Sequence, residues 1–509
     1  MWGEPKSLND LGGLSEKQTS PYGLPAIFIV LGAMATACLA TLAHYGGARW
    51  QAVMLVGLFL SIWMLSWVYV RQHFITLIVF GMTFTLPMIL NVGLWEFTGP
   101  TASGMPKFMT LWDKDFFLGI LLLDLATDWF RRRRRPTASL GWSGIWLLVM
   151  FCCLWLYPFH SINNTRSFAL VIEWTRFIII FAFLARYIHS RQMLKWIVYG
   201  ILIQIWLEGF VALAQYATGG KLGLTFLGET RVKEMPMPGG ALIRSGALLS
   251  HPNAFALWLV LVTPLPLALA LNPNFAVMRR MMLWATYFFG MTVLIMTFSR
   301  AGWLAAGLGL FVTYHMAQRR FGRPMVVSIW MPVMVFMSIG LSLYMLSPEI
   351  HHRISGDDGR SSFARIPQFA TAINIIAHMP FTGTGIGSYS PYISEFANFD
   401  GRYLSALFFR VHNGWLLWTA ETGLISGLAY LFFWISVGKH GWGCWRIKDD
   451  FLALTGLAAL VGLGGWWLKS MANIHTVNND QSVVLHWALV WIVWNCASKA
   501  EWERIKGPK

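Results

Sequence analysis

Charged residues are scarce in this chain. They make up 12% of its 509 residues, whereas hydrophobic residues make up 56%. A soluble domain has about 25% charged residues, so the composition excludes one. Cysteine is also rare: four of the five lie in apolar stretches, and Cys444 lies in a predicted cytoplasmic loop. None lies in the two long external segments defined below, so we expect no structural disulfide.

Long apolar runs make up most of the sequence. A spanning helix needs about 20 mostly apolar residues. The runs are continuous rather than alternating, which excludes a transmembrane β-barrel. We expect an all-α polytopic membrane protein with about 14 (12–14) transmembrane helices. The predicted spans lie near 24–44, 51–70, 74–95, 111–130, 141–158, 168–187, 194–217, 254–271, 281–298, 302–318, 325–346, 411–437, 451–469 and 482–498.

The basic residues predict the orientation of the spans. Arg131 to Arg135 form a run directly after a span, and the positive-inside rule places such a run in the cytoplasm. Alternation from this point places both termini in the cytoplasm. The formal charge of +16 is then explained by topology, and we expect no nucleic-acid partner.

Two long segments fall on the external, periplasmic side. We expect a polar cytoplasmic tail at 1–23, membrane helices over 24–346 with a periplasmic loop near 218–253, a large periplasmic loop at 347–410, and membrane helices with a cytoplasmic tail over 411–509. Within the large loop, apolar residues recur at helical spacing, which predicts an amphipathic helix on the membrane surface. These residues are Phe363, Ile366, Phe369, Ile373 and Ile376.

Three external arginines are candidates for binding an anion. Arg300 lies between two spans with almost no loop, Arg244 lies in the first long segment, and Arg365 lies on the proposed surface helix. Guanidinium groups bind phosphate oxygens in pairs and stay charged at any working pH. The alternatives are snorkelling to headgroups for Arg300 and solvation in a loop for the others. We expect the three to converge on one external site.

His412 is the candidate general base. It lies at the start of a span, after the large loop, and an imidazole can take a proton near neutral pH. An interfacial histidine bonded to headgroups is the alternative, and His251 and His475 are rival external histidines. Glu421 is too far along the same helix to pair with His412, so we expect it to serve packing or to have an arginine partner.

Other motifs favour structural roles. The run Gly383-x-Gly385-x-Gly387 lacks the strand and helix of a nucleotide fingerprint, so a turn after a helix is favoured. Glu173 and Arg176 are spaced to pair within one span. Asp124, Asp128 and Glu208 would be intramembrane acids, and they keep open a transporter or flippase of lipid-linked sugars.

These motifs together resemble the O-antigen ligase superfamily, which includes O-antigen polymerases and bacterial O-oligosaccharyltransferases. The resemblance covers about residues 240–430 by motif and departs in two apparent extra spans and in added sequence around Pro391–Arg402. The matching motifs, in order, are Arg244-Ser-Gly with His251-Pro-Asn, Ser299-Arg300-Ala-Gly, Arg365 ahead of His378-Met-Pro-Phe-Thr-Gly-Thr-Gly-Ile-Gly, and His412-Asn413 with Glu421-Thr-Gly.

The resemblance implies an inverting glycosyltransferase of the bacterial inner (plasma) membrane that uses no metal and no cofactor. It would move a glycan from undecaprenyl diphosphate to an acceptor hydroxyl on the periplasmic face. By residue match, Arg244 and Arg300 would contact the diphosphate and His412 would activate the acceptor. We add Arg365, Asn413 and Tyr389 as candidates for binding the diphosphate or glycan.

Several alternatives remain open at the level of sequence. The acceptor would be a lipid core or a protein for a ligase, and another lipid-linked unit for a polymerase of surface polysaccharide. Two alternatives to an enzyme remain: the transporter, and a structural subunit of an envelope complex. Membrane lipids are expected partners in every case, whereas the sugar, the oligomeric state and the organism are not specified by the sequence.

Overall fold

The fold is given by a computed structural model. It describes residues 71–506 except 86–90, 97–107, 131–138, 157–158, 160, 163, 230–231, 238–239, 250, most of 324–346, 356–364, 398–409 and 472–481. The predicted tail at 1–23, the predicted spans at 24–44 and 51–70, and the arginine run at 131–135 lie outside the described residues.

Helices dominate the described chain. The helices are α1 (Arg71–Thr85), α2 (Asp113–Phe130), α3 (Gly141–Leu156), α4 (Asn164–Tyr187), α5 (Arg191–Thr218), α6 (Pro252–Val262), α7 (Pro264–Ala270), α8 (Val277–Met296), α9 (Arg300–Arg320), α10 (Pro348–Ser355), α11 (Arg365–His378), α12 (Ile393–Phe396), α13 (Gly414–Trp445), α14 (Asp450–Ser470) and α15 (Ser482–Lys506). Two antiparallel hairpins accompany them, β1 (Asn91–Glu96) with β2 (Phe108–Trp112) and β3 (Lys233–Met237) with β4 (Gly240–Arg244).

The helices have the length and composition of membrane spans. Among the described residues, five stretches are long and apolar enough to cross a bilayer: Asn164–Tyr187, Arg191–Thr218, Pro252–Ala270, Gly414–Trp445 and Asp450–Ser470. This pattern agrees with the predicted class, a multi-pass helical membrane protein. The total of about 14 spans stays a prediction.

Two details of the predicted topology are wrong. The span predicted over 74–95 ends early, because α1 is described only to Thr85 and residues 91–96 form strand β1. Cys444, predicted in a loop, is buried within α13, which continues to Trp445.

The centre of the bundle is the continuous stretch formed by α6 and α7. Nearly every residue from Pro252 to Ala270 is buried, and α8, α9 and α14 pack around it. A helix that is apolar on all sides is stable only when other helices or lipid surround it. Because these helices surround it, the start of α6 at Pro252 is held in place at one end of the bundle.

The opposite end of the bundle is clamped by basic residues. Arg320, at the end of α9, donates to Asp450 at 2.7 Å and to the carbonyls of Trp445 at 3.0 Å and Ile447 at 2.7 Å. Arg191, at the start of α5, pairs with Asp449. These bonds hold the turn between α13 and α14. We call the other end, where α13 begins at Gly414, the site end.

Candidate functional site

His412 lies two residues before α13, next to Asn413, whose backbone is extended. The side-chain oxygen of Asn413 accepts a hydrogen bond from the backbone N–H of Leu416 at 2.9 Å. Asn413 is therefore the N-cap of α13 and satisfies one of the free N–H groups at the helix start. Capping fixes where the chain enters the helix and so positions His412. A role for Asn413 in glycan binding stays a prediction.

The imidazole of His412 is half-buried against α11. Its Nδ1 lies 2.8 Å from the side-chain oxygen of Gln368, and the backbone N–H of His412 donates to the same oxygen at 3.3 Å. Burial lowers the pKa of His412 to about 4, the charges of Arg365, Arg410 and Lys233 act in the same direction, and a backbone hydrogen bond with Arg410 opposes them. At neutral pH the ring is therefore uncharged and able to accept a proton.

Arg244 ends β4 and is buried at the site end. Its Nε–H donates to the carbonyl of Thr297 at 2.9 Å, and its Nη2 donates to the side-chain oxygen of Asn253 at 3.2 Å. Thr297 directly follows α8, and Arg300 begins α9 three residues later. The structure therefore joins the chain segments that carry Arg244 and Arg300.

The backbone is strained beside both of these arginines. Ala247, shortly after Arg244, has φ 47°, and Phe298, shortly before Arg300, has φ 51°. A non-glycine residue in this left-handed region costs on the order of 1–3 kcal/mol, and such residues concentrate at functional sites. Surrounding hydrogen bonds have to offset that cost.

Polar side chains of α5 hold the chain that follows Arg244. Gln215 accepts a hydrogen bond from the N–H of Ala247 at 3.1 Å, and Glu208 accepts one from the N–H of Leu248 at 3.0 Å. Buried backbone groups need such partners. Glu208, predicted as an intramembrane acid, thus has a structural role as an anchor for this loop.

Lys233 lies near Arg244 and interacts with both His251 and His412. It lies opposite Arg244 in the β3–β4 hairpin, and its Nζ is 3.4 Å from Nε2 of His251. Its charge also contributes to the lowered pKa of His412. The hairpin therefore brings these side chains into one region at the site end, although they are far apart in the sequence.

His251 uses one ring nitrogen to cap α6. Its Nδ1 accepts a hydrogen bond from the N–H of Asn253 at 3.0 Å. Burial lowers its pKa to about 4, and three neighbouring cations contribute. The lone pair of Nδ1 is therefore used by the cap, and Nε2 lies beside the Nζ of Lys233, so neither nitrogen is available as a base. His412 is therefore the better placed of these two, and His475 lies outside the described residues.

A buried lysine completes the region. Lys469, in the last turn of α14, donates to the carbonyl of Asn253, and its charge acts on His251. We call the cations around the two histidines the cationic cluster; they are Lys233, Arg244, Arg365, Arg410 and Lys469. Cations gathered in a partly buried region create a positive potential that attracts an anion.

The predicted surface helix corresponds to α11, which begins at Arg365. Ile366 and Ile373 are exposed, as a face toward lipid requires. The opposite face packs against α13 and buries Gln368 and Thr371. That face carries polar residues because it meets the His412 segment, and Phe363 lies outside the described residues.

Tyr389 packs in the core of the structure, and its predicted role in glycan binding stays a prediction. It is only 1% exposed and belongs to a core with Ala372, Ile375 and Val411. Burial and the nearby carboxylate of Glu421 raise the pKa of its phenol. The sequence placed it in an external aromatic group, and spacing alone does not distinguish an exposed ring from a core ring.

The glycine run after α11 docks against a break in α13. The N–H groups of Thr384 and Gly385 donate to the carbonyls of Ala420 at 3.0 Å and Glu421 at 2.9 Å. The backbone N–H groups of Gly387 and Tyr389 are hydrogen-bond donors for the Glu421 carboxylate, and Arg410 is its charged neighbour. As expected, the run is a structural turn and Glu421 serves packing near an arginine.

Gly423→Ala is expected to destabilise the protein strongly. Gly423 has φ 79° and ψ 169°, and an added Cβ would lie 2.2 Å from the carbonyl oxygen of Phe381. The backbone conformation alone costs about 1–3 kcal/mol for a residue with a side chain. Thermal unfolding in detergent, followed by size-exclusion chromatography, measures the loss. Gly438→Ala in the same helix is the control, because a Cβ there meets nothing within 4 Å, and an equal loss in both variants would contradict the prediction.

The structure bears on some of the predictions made for charged residues within the spans and leaves others as predictions. Arg176 forms an ion pair with Asp115 of α2 at 3.2 Å, a partner that sequence spacing did not suggest. The pairing of Glu173 with Arg176 stays a prediction. The side chains of Asp124 and Asp128 lie outside what the structure describes.

Sequence analysis missed four residues of this region: Lys233, Gln368, Arg410 and Lys469. A lysine in the last turn of an apolar span, as for Lys469, is a pattern that could have been noticed. Gln368 had no such pattern, because its importance comes entirely from contact with a residue 44 positions away.

The fold and the region around His412 define a multi-pass membrane protein with a concentration of cations beside an uncharged histidine. Residues 285–432 match the model of the O-antigen ligase family, and this segment contains Arg300, Arg365 and His412. The match confirms the resemblance to the O-antigen ligase and polymerase superfamily. A comparison with curated proteins found no match to the chain. The match to this family suggests glycan assembly of the ligase or polymerase type.

Proposed function

We propose that this protein transfers a glycan from undecaprenyl diphosphate to an acceptor hydroxyl, with His412 as general base. One observation carries the proposal: the half-buried imidazole of His412, bonded to Gln368, lies within the field of Arg365, Arg410 and Lys233 of the cationic cluster. A base and a site for an anionic leaving group are the two elements that such a transfer needs. The O-antigen ligase match supports the same reaction class.

The cationic cluster would act on the leaving group. As the bond between the sugar and the diphosphate breaks, negative charge grows on the diphosphate oxygens. Fixed cations bind that growing charge more strongly than they bind the ground state, and this difference lowers the barrier. Arg244 of the cluster would make these contacts together with Arg300, which begins α9 outside the cluster, and Arg365 of the cluster would lie beside the base.

The acceptor step balances without a further reactant. His412 takes the proton of the acceptor hydroxyl, and the acceptor oxygen attacks the anomeric carbon from the side opposite the diphosphate. The carbon–oxygen bond to the diphosphate breaks with its electron pair, so the configuration at that carbon inverts. Undecaprenyl diphosphate leaves as an anion, and His412 then releases the proton to water.

The site end is expected to face the periplasm. The clamp residues at the opposite end, such as Arg320 and Arg191, belong to the short basic clusters that the positive-inside rule places in the cytoplasm. The activated donor then supplies the driving force on the side of the membrane that lacks ATP. Lipid carrier and membrane lipids would surround the exposed apolar face of α11.

Reconstitution tests the proposal. The purified protein in proteoliposomes receives a synthetic undecaprenyl-diphosphate glycan with either a lipid core, a protein or a second lipid-linked glycan. Glycan on the lipid core or protein identifies a ligase, and a longer glycan on the carrier identifies a polymerase. Movement of intact donor across the bilayer without any new glycosidic bond would instead support a transporter and overturn the proposal.

The pH dependence of turnover should report the lowered pKa of His412. The protonated base is inactive, so a lowered pKa keeps the free protein active to lower pH, and kcat/KM should fall only near pH 4. Donor diphosphate adds negative charge near the imidazole and raises its pKa, so the acidic limb of kcat should lie at higher pH. Steady-state rates from pH 4 to 8 measure the acidic decline of kcat/KM and that of kcat. A decline of kcat/KM near pH 6.5 would contradict the lowered pKa of His412.

A further inference from the structure

We infer that Gln368 is a positioning residue that holds His412 as the tautomer with its hydrogen on Nδ1 and its lone pair on Nε2. The inference rests on the proposed function, because it specifies which nitrogen of the proposed base takes the proton. Gln368 is 5% exposed and lies on α11, the helix that begins with Arg365.

The orientation of the Gln368 amide follows from a backbone group. One side-chain atom of Gln368 faces both the backbone N–H of His412 at 3.3 Å and its Nδ1 at 2.8 Å. A backbone N–H can only donate, so the atom that faces it must be the amide oxygen. An amide oxygen can only accept, so Nδ1 has to carry a hydrogen. A neutral ring has one N–H, so its lone pair is then on Nε2, and the carbonyl of Arg410, the other acceptor beside the ring, has to share the Nδ1 hydrogen.

A comparison with His251 shows that a hydrogen on Nδ1 is not common to the histidines of this region. The Nδ1 of His251 accepts a hydrogen bond from the N–H of Asn253, whereas the Nδ1 of His412 faces an oxygen and has to donate, so the two rings use Nδ1 in opposite ways. The two histidines lie in the same cationic region, and Lys233 is a charged neighbour of both. Their hydrogen-bond partners, and not their general surroundings, give them different chemistry.

An uncharged amide suits this position better than a carboxylate. In many hydrolases a carboxylate orients the histidine and stabilises the imidazolium. Here a carboxylate would lie beside Arg365 and Arg410 and would compete with the donor diphosphate for them. A glutamine fixes the tautomer and leaves the positive charge of the cluster for the anionic substrate. Arg365 and Gln368 are also three residues apart on α11, so they share one side of the helix.

The first test measures the tautomer without turnover. The full-length protein, labelled with ¹⁵N-histidine and embedded in nanodiscs, is compared with His412→Asn so that the His412 resonances are assigned by difference. The expected result is a protonated Nδ1 in the wild-type protein and a gain of the Nε2-protonated form in Gln368→Leu. A wild-type His412 protonated on Nε2 would overturn the inference.

The second test uses turnover in the reconstituted system. Gln368→Leu removes the acceptor and should lower kcat by about 10- to 100-fold, part of the 10²–10⁴-fold that a general base contributes. Gln368→Glu keeps both hydrogen bonds, so kcat should be largely retained. Its acidic limb should move to higher pH and its donor KM should rise. Gln368→Met keeps length and burial and replaces the leucine variant if that one does not fold.

Thr371→Val is the matched control. Thr371 is also buried on α11, but its hydroxyl bonds only within the helix, to the carbonyl of Pro367 at 2.9 Å. It should leave kcat and the pH profile unchanged. Equal losses in Gln368→Leu, Gln368→Glu and Thr371→Val would show a packing role and overturn the inference. If the wild-type protein has the expected tautomer but transfers no glycan, the proposed function fails and the tautomer assignment stands.

Discussion

His412→Ala is expected to lower glycan transfer by about 10²–10⁴-fold, the contribution of a positioned general base. The side chain is half-buried and bonds to Gln368, so its removal takes away the base while the N-cap at Asn413 continues to hold the start of α13. Transfer is measured as product formed per minute from a synthetic lipid-linked donor. Thermal unfolding of the same preparation shows whether the variant is folded.

Two other histidines give the controls for this variant. His378→Ala changes an exposed histidine of α11 that bonds to the carbonyl of Asn374 at 2.8 Å, and it should leave transfer unchanged. His251→Asn keeps a side-chain oxygen that can cap α6 and should retain most of the turnover. Strong loss in His251→Asn together with normal turnover in His412→Ala would exchange the roles of the two histidines.

Arg244→Lys is expected to lower turnover by about 10²–10³-fold, because one removed donor to a developing anion typically costs about 2.7–4 kcal/mol. Arg244 reaches the carbonyl of Thr297 and the side chain of Asn253 with separate nitrogens of one rigid fork. A lysine keeps the charge but has a single nitrogen, so it cannot hold this geometry. Arg300→Lys should be impaired for the same reason.

For both arginine variants, the measurement has to distinguish a loss of contacts to the donor substrate from a loss of folded protein. Rates are taken over a range of donor concentrations and referred to the folded fraction of each preparation. Arg279→Lys, which changes an exposed arginine stacked on Phe275 at the opposite end, is the matched control and should behave as wild type. A folded Arg244→Lys with near-normal turnover would limit Arg244 to a structural role between β4 and α8.

Much of the membrane class could be predicted from the sequence, because bilayer thickness imposes a length and an apolar composition on each span. The failures occurred where tertiary contacts decide. The strand at 91–96 replaces the end of a predicted span, and the pairing of β1 with β2 was not visible in hydropathy. The packing of Tyr389 into the core was likewise not visible in the sequence, and its role in glycan binding stays a prediction.

The residues of the candidate site also fall into two groups, those that the sequence identifies and those that only tertiary contacts reveal. Arg244, Arg300, Arg365 and His412 were identifiable because arginine and histidine at membrane edges are chemically unusual and because their motifs follow the order of a known superfamily. Lys233 and Gln368 were not identifiable, since each matters through one contact made across the fold. The identity of the base is therefore a sequence inference, whereas its tautomer is a structural one.

The sequence by itself determined that this protein resides in a membrane, since no soluble core can accommodate so many continuous apolar runs and so few charges. It also determined which residue types were available for chemistry at the edges of those runs. Only the tertiary structure decided which of them meet. The direction of a hydrogen bond depends on the positions of two atoms, and the spacing of residues along one chain contains no information about atoms contributed by another helix.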